Sequence, residues 1–270
     1  MKSRVLTAII LFPPVIYLIG WSPLWLFLTA VVATVVLCLH EYVTICRLSG
    51  LRTLASLVYA GGAGVCLAQM LALRSVANPA ALFLALFIPL MLSLAMLWVD
   101  DLKQYLSAVA TTVLGILYIA VPMSFLVALR SSDPVDGRNL VLFLFLVIWA
   151  GDICAYAVGR PLGRHFLFPR LSPRKTIEGA LGGLAGSLLA AWGYTHWVWK
   201  SADLRAAILM AALIAIAGQI GDFVESALKR GAGIKDSGTI LPGHGGMLDR
   251  IDALLFGAAT LWLARALHLF

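Results

Sequence analysis

Residues 226–252 carry four cations (Lys229, Arg230, Lys235, Arg250), three carboxylates (Asp236, Asp249, Asp252), His244 and six glycines. Lysine and arginine beside glycine suit phosphate binding. Glycine lets backbone approach a ligand and permits positive φ, and successive backbone N–H groups in such turns form an anion-binding nest. The preceding stretch adds Asp222, Glu225 and Lys229 at i, i+3 and i+7, with Ser226 one turn on from Asp222, so these residues share one helical face. Asp249 and Asp252 are three apart and share another face. Carboxylates at this density need a counter-ion. Hard oxygen ligands without a thiolate or imidazole cluster point to magnesium, which binds through one or two carboxylates plus substrate phosphates. Asp222 and Asp249 are the expected principal ligands, with Glu225 and Asp252 beside them. His244 is expected to act as a general acid or as a donor to a phosphate oxygen. Interhelical salt bridges to Lys229, Arg230 and Arg250 are the plain alternative for the same acids.

A second polar stretch, residues 170–179, contains Ser172, Arg174, Lys175 and Thr176. Ser172 or Thr176 is expected to cap the helix that follows. Cations near a helix N-terminus oppose the helix dipole, so Arg174 and Lys175 suggest a bound anion there. Ordinary cytoplasmic positive charge is the competing explanation. Gly179, Gly182, Gly183 and Gly186 then form small-residue steps suited to close helix packing. Asp152 lies midway along an apolar run and is expected to face the active cavity, because an intramembrane carboxylate needs a partner or a cavity. Glu41, in His40-Glu41-Tyr42, is expected to be structural and to pair with a basic loop residue.

The elements that must position these groups are membrane helices. The chain has 270 residues, 61% of them apolar and only 12% charged, where soluble proteins average about 25% charged. Apolar runs predict an all-α, polytopic membrane protein with about nine spans near residues 5–19, 24–45, 54–73, 80–99, 105–129, 140–159, 177–199, 204–229 and 251–267. The first run lacks a small-residue cleavage site and is expected to be retained as a span, though Pro13 and Pro14 interrupt it. Most of the 20 Lys and Arg residues then fall on one side, including those of residues 160–176 and 230–250. The positive-inside rule makes that side cytoplasmic, with the N-terminus inside and the C-terminus outside. One membrane domain is expected over 1–270, with scaffold and lipid-facing spans in 1–139 and the site in 140–270. Cys38, Cys46, Cys66 and Cys154 form no metal-ligand spacing and are expected to be buried thiols. The net charge of +7, concentrated in two loops, would draw an anionic substrate.

Ser226-x-Leu228-Lys229-Arg230-x4-Lys235-Asp236-x-Gly238-x2-Leu241-Pro242-x-His244-Gly245-Gly246-Met247-x-Asp249-Arg250-Ile251-Asp252 resembles the signature of the phosphatidate cytidylyltransferase family. Ser172-Pro173-Arg174-Lys175-Thr176-x-Glu178-Gly179 looks like its second loop, and Gly221-Asp222-x2-Glu225-Ser226 like its metal-binding helix. The resemblance implies CTP and phosphatidate as substrates, CDP-diacylglycerol and pyrophosphate as products, and Mg2+ as cofactor with a second cation such as K+ sharing the site. It implies catalytic roles for Asp222, Lys229, Arg230, Lys235, Asp236, His244, Asp249 and Arg250. Substrate contacts would come from Asp152, Ser172, Arg174, Lys175, Thr176, Ser226, Gly245 and Gly246. The setting implied is the bacterial inner membrane, with membrane lipid around the protein, no nucleic acid, and a homodimer compatible with it. Two other readings compete. A CDP-alcohol phosphotransferase would carry Asp-Gly-x2-Ala-Arg, which this sequence lacks. An ion or proton transporter built on Asp152, Asp222 and Glu225 would explain the acids but not the glycine-rich stretch, and no internal repeat supports it.

Overall fold

Long apolar runs broken by proline, glycine and charge give helices, because only a helix satisfies its own backbone inside hydrocarbon. A computed structural model describes residues 13–70, 78–133, 135–240 and 245–267. After a helical segment at residues 13–20 come α1 (Leu24–Leu48), α2 (Ala55–Met70), α3 (Pro79–Trp98), α4 (Tyr105–Gly115) and α5 (Val121–Ser132), with a π-helical turn at Ile116–Ala120. Then follow α6 (Asp136–Leu162), β1 (Phe166–Phe168), β2 (Ser172–Thr176), α7 (Ile177–Trp197), α8 (Leu204–Gly231) and α9 (Leu248–Ala266).

Five stretches among the described residues are long and apolar enough to cross a membrane: α1, α3, Leu102–Ser132, α6 and α8. They make this a multi-pass membrane protein; α2 is a shorter apolar helix. The expected first span lies largely outside the described residues. The seventh and ninth form as α7 and α9 but are not among the five. α7 gives much of its length to glycine, and α9 opens on Asp249, Arg250 and Asp252. The all-α expectation holds, with one local addition. The polar stretch 160–176 contains a two-stranded antiparallel hairpin, with Phe166 opposite Thr176 and Phe168 opposite Ser172.

The chain divides into two compact units. The first comprises Met1–Ser131 and Leu228–Arg250. Its helices approach closely at several glycines, Gly61, Gly62, Gly64 and Gly115 among them. A Cβ on Gly115 would stand 2.7 Å from the Tyr42 ring. The Tyr42 hydroxyl donates to the Thr111 carbonyl at 2.9 Å, tying α1 to α4. Asn78 caps α3 by accepting from Ala81 N at 3.1 Å, ahead of Pro79 in the first turn. Leu82, Leu86, Leu90 and Leu97 stay exposed on α3, as lipid-facing side chains should.

The second unit comprises Ser132–Ala227 and Ile251–Phe270. Here α6 and α7 lie against each other through the small residues singled out above. A Cβ on Gly186 would stand 2.5 Å from Cys154 and 3.0 Å from the Ala150 carbonyl, and one on Gly183 would stand 3.0 Å from the Gly151 carbonyl. The Ser187 hydroxyl donates across the contact to the Val147 carbonyl at 2.8 Å. The expectation of close helix packing therefore holds. Gly186→Leu is expected to force the two helices apart at a cost of about 1–3 kcal/mol, read as a lower Tm in detergent; an unchanged Tm would contradict this packing. At the start of this unit Asp133 accepts from Asp136 N and Val135 N, which hold its carboxyl below the usual range.

Candidate active site

In the second unit the hairpin delivers Lys175 and the last turns of α8 deliver Asp222 and Glu225. Thr176 ends β2 and caps α7, its hydroxyl accepting from Gly179 N at 3.2 Å. Of the two expected caps it is therefore Thr176 that acts, while Ser172 lies at the start of β2. One residue before the cap, Lys175 forms an ion pair with Asp222 and lies 4.6 Å from the centre of the Phe223 ring. Phe168 also packs edge-on against Phe223, with 4.9 Å between ring centroids. The sequence pointed to Lys175 as a phosphate ligand but not to these two aromatic residues. Phenylalanine in a membrane chain is too common to stand out.

Asp222, Glu225 and Asp252 each offer a carboxylate oxygen within 4.8 Å of the others. Glu225 is buried, and the other two are partly buried. Gly221 makes the approach of α9 possible, since a Cβ there would stand 2.6 Å from the Asp252 carbonyl. Three hard oxygens at this spacing fit a divalent cation such as Mg2+, and like charges so close are held by positive charge nearby or by a shared proton. Lys175 supplies one such charge. Asp152 is exposed on α6 and lines a small cavity with Gly151, Ala155, Ser187 and Gln219. Gln219 is oriented by donating to the Ala180 carbonyl at 3.1 Å. Arg174 is exposed.

In the first unit Ser237, Gly246, Met247 and Leu248 of the glycine-rich stretch donate to two carboxylates. Asp249 Oδ1 accepts from Lys229 Nζ at 2.5 Å. Its Oδ2 accepts from Ser237 N at 2.9 Å and Gly246 N at 2.8 Å. The expected principal metal ligand is thus engaged by a lysine and two backbone amides. Gly245 sits at φ 79°, a region open to glycine at no steric cost. Lys229 and Ser226 are buried, whereas Arg230, Lys235, Asp236 and Arg250 are exposed. Arg230 donates to the Ile234 carbonyl at 2.9 Å, closing the turn after α8. His244 lies outside the described residues.

The second carboxylate is Glu41 from α1, only 2% exposed. It accepts from Ser237 Oγ at 2.7 Å and from Met247 N and Leu248 N, each at 2.8 Å. Among the described residues its partners are a hydroxyl and two helix-start amides, in place of the expected basic side chain. Only an acid at a span's end hinted at this from sequence. Its partners lie some two hundred residues away, so nothing in the local pattern names them.

A family model described as the cytidylyltransferase family matches residues 2–268. The chain is also similar to proteins named phosphatidate cytidylyltransferase. It is 42% identical over 147 residues to that of Staphylococcus haemolyticus (strain JCSC1435), a match covering 54% of this chain and 55% of the relative. The same identity and coverage relate it to the protein of Staphylococcus saprophyticus, and 39% identity over 147 residues to that of Staphylococcus aureus (strain COL). The match to each covers about half the length of the curated relative.

Proposed function

Since this chain belongs to the cytidylyltransferase family, we propose that it transfers the cytidylyl group of CTP to phosphatidate, forming CDP-diacylglycerol and releasing pyrophosphate. The observation that carries this reading is the cluster of Asp222, Glu225 and Asp252 with Lys175 against it. A phosphate oxygen of phosphatidate attacks the α-phosphorus of CTP, and the bond to the oxygen bridging α and β breaks. The monoester is already an anion near neutral pH, so little deprotonation is needed. The barrier lies in bringing two polyanions together, so positioning and charge neutralisation should dominate. Mg2+ would be held by Asp222, Glu225 and Asp252 and would supply charge neutralisation for the triphosphate. Lys229, Arg230, Lys235 and Arg250 are assigned to the phosphates of CTP and the departing pyrophosphate. Arg174 and Lys175 are assigned to the phosphatidate headgroup or the same polyphosphate. Asp249 holds Lys229 and the backbone of the glycine-rich segment rather than the metal.

The test is direct. Purified protein in detergent, given CTP labelled at the α-phosphorus, phosphatidate and Mg2+, should move label into the lipid phase only when all three are present. No transfer would refute the reading, and cation-dependent flux in vesicles without transfer would favour the transporter.

About nine spans in a bacterial inner membrane, with the N-terminus cytoplasmic, belong to the same proposal. Exposed positions Arg170 and Thr239 should then both be cytoplasmic. Cysteines placed there, with the four native cysteines replaced, are expected to resist a membrane-impermeant thiol reagent in intact cells and to react after lysis. Labelling of either from outside would overturn this orientation.

A further inference from the structure

We propose that Glu41 is a positioning residue that sets the glycine-rich segment for the nucleotide; the assignment rests on the function proposed above. Three observations converge on it. The carboxylate is 2% exposed, and a buried charge persists only where donors satisfy it. Its donors sit at both ends of one segment: Ser237 Oγ at the beginning, and Met247 N and Leu248 N where α9 begins. The glycines at 238 and 246 are shaped to it. A Cβ on Gly238 would stand 2.6 Å from Glu41 Oε1, and a Cβ on Gly246 would overlap the Glu41 carboxylate.

The chemistry is that of a helix N-terminal cap supplied in trans. Backbone N–H groups in the first turn of a helix lack carbonyl partners within it, and an anion there is favoured by both hydrogen bonding and the helix dipole. Ordinarily the capping side chain comes from the residue just before the helix. Here it comes from α1, so the start of α9 is fixed to an N-terminal span. Ser237 joins this clamp to the second one. Its hydroxyl donates to Glu41, and its backbone N–H donates to Asp249, which also holds Lys229. Loosening Glu41 should therefore misplace Ser237, Asp249 and with them Lys229, a group assigned above to the phosphates of CTP.

Glu41→Gln and Ser237→Ala, alone and together, test this. Glu41→Gln keeps the size of the side chain but weakens its acceptors. It is expected to raise KM for CTP about tenfold with KM for phosphatidate unchanged, whereas a purely structural role would lower Tm and active fraction without that split. Because Ser237 donates to Glu41, the double variant should be little worse than Glu41→Gln, the non-additivity expected of contacting residues. Restoration by Glu41→Asp is not expected, since the shorter side chain cannot span the two ends. Hydrogen exchange gives a readout independent of turnover: the amides of Met247 and Leu248 should exchange at least tenfold faster in Glu41→Gln while those within α6 do not. Unchanged exchange at these amides overturns the proposal. So do additive effects, or KM values for both substrates equal to those of the unaltered protein. If the unaltered protein makes no CDP-lipid, the function reading fails while the exchange experiment still decides whether Glu41 positions the segment.

Discussion

Asp222→Asn is expected to lower kcat about a hundredfold, which corresponds to about 2.7 kcal/mol of lost transition-state stabilisation. Asparagine keeps the shape of the side chain and removes its charge. Asp222 is the member of the carboxylate cluster that also pairs with Lys175, so the change removes a hard anionic ligand and the partner of that lysine together. Two measurements check it. CDP-lipid formation should stay low even when Mg2+ is raised to saturation. A rise in Tm is expected when Mg2+ is added to the unaltered protein and should shrink in the variant, because a ligand stabilises only in proportion to its binding. Asp252→Asn should behave alike, and the double variant should lose far less than the product of the two, as groups acting as a unit do. Near-normal turnover and an intact Mg2+ effect on Tm in Asp222→Asn would remove the metal assignment.

A second large loss is expected for Asp249→Asn, and it should look different. The Lys229 side chain is 11% exposed and that of Asp249 6%. Removing one partner of a buried pair leaves the other charge uncompensated and typically costs about 3–5 kcal/mol. Two backbone amides, of Ser237 and Gly246, lose a charged acceptor as well. Tm and kcat should therefore both fall, and the Mg2+ effect on Tm should remain for the protein that folds. Lys229→Met combined with Asp249→Asn should recover part of the Tm, because no buried charge is then left alone, without recovering turnover. If Asp249→Asn keeps its Tm but loses the response to Mg2+, Asp249 is a metal ligand after all and the segment is held by something else.

The two variants separate what residue order shows from what packing adds. Sequence alone determined the helical membrane character, because runs of apolar residues allow only helices in lipid. It narrowed the cap of α7 to Ser172 or Thr176 and marked the glycine face of that helix, because caps and small-residue steps are local patterns read within a turn or two; the fold chose Thr176. It also pointed the proposal of phosphate and metal chemistry to residues 222–252, since no ordinary membrane helix carries such a density of charge. The grouping of the acids was decided by tertiary structure. Asp222 and Glu225 share a face by helical periodicity, but their union with Asp252 needs the close approach at Gly221. Sequence spacing suited Asp249 equally well to a metal, yet in the folded first unit its oxygens meet Lys229, Ser237 and Gly246. Glu41 was legible only as an acid near a helix end. Its role depends on three donors more than 190 positions further along the chain. Periodicity fixes which side chains share a face of one helix; what that face meets is set by the packing of helices far apart in the chain.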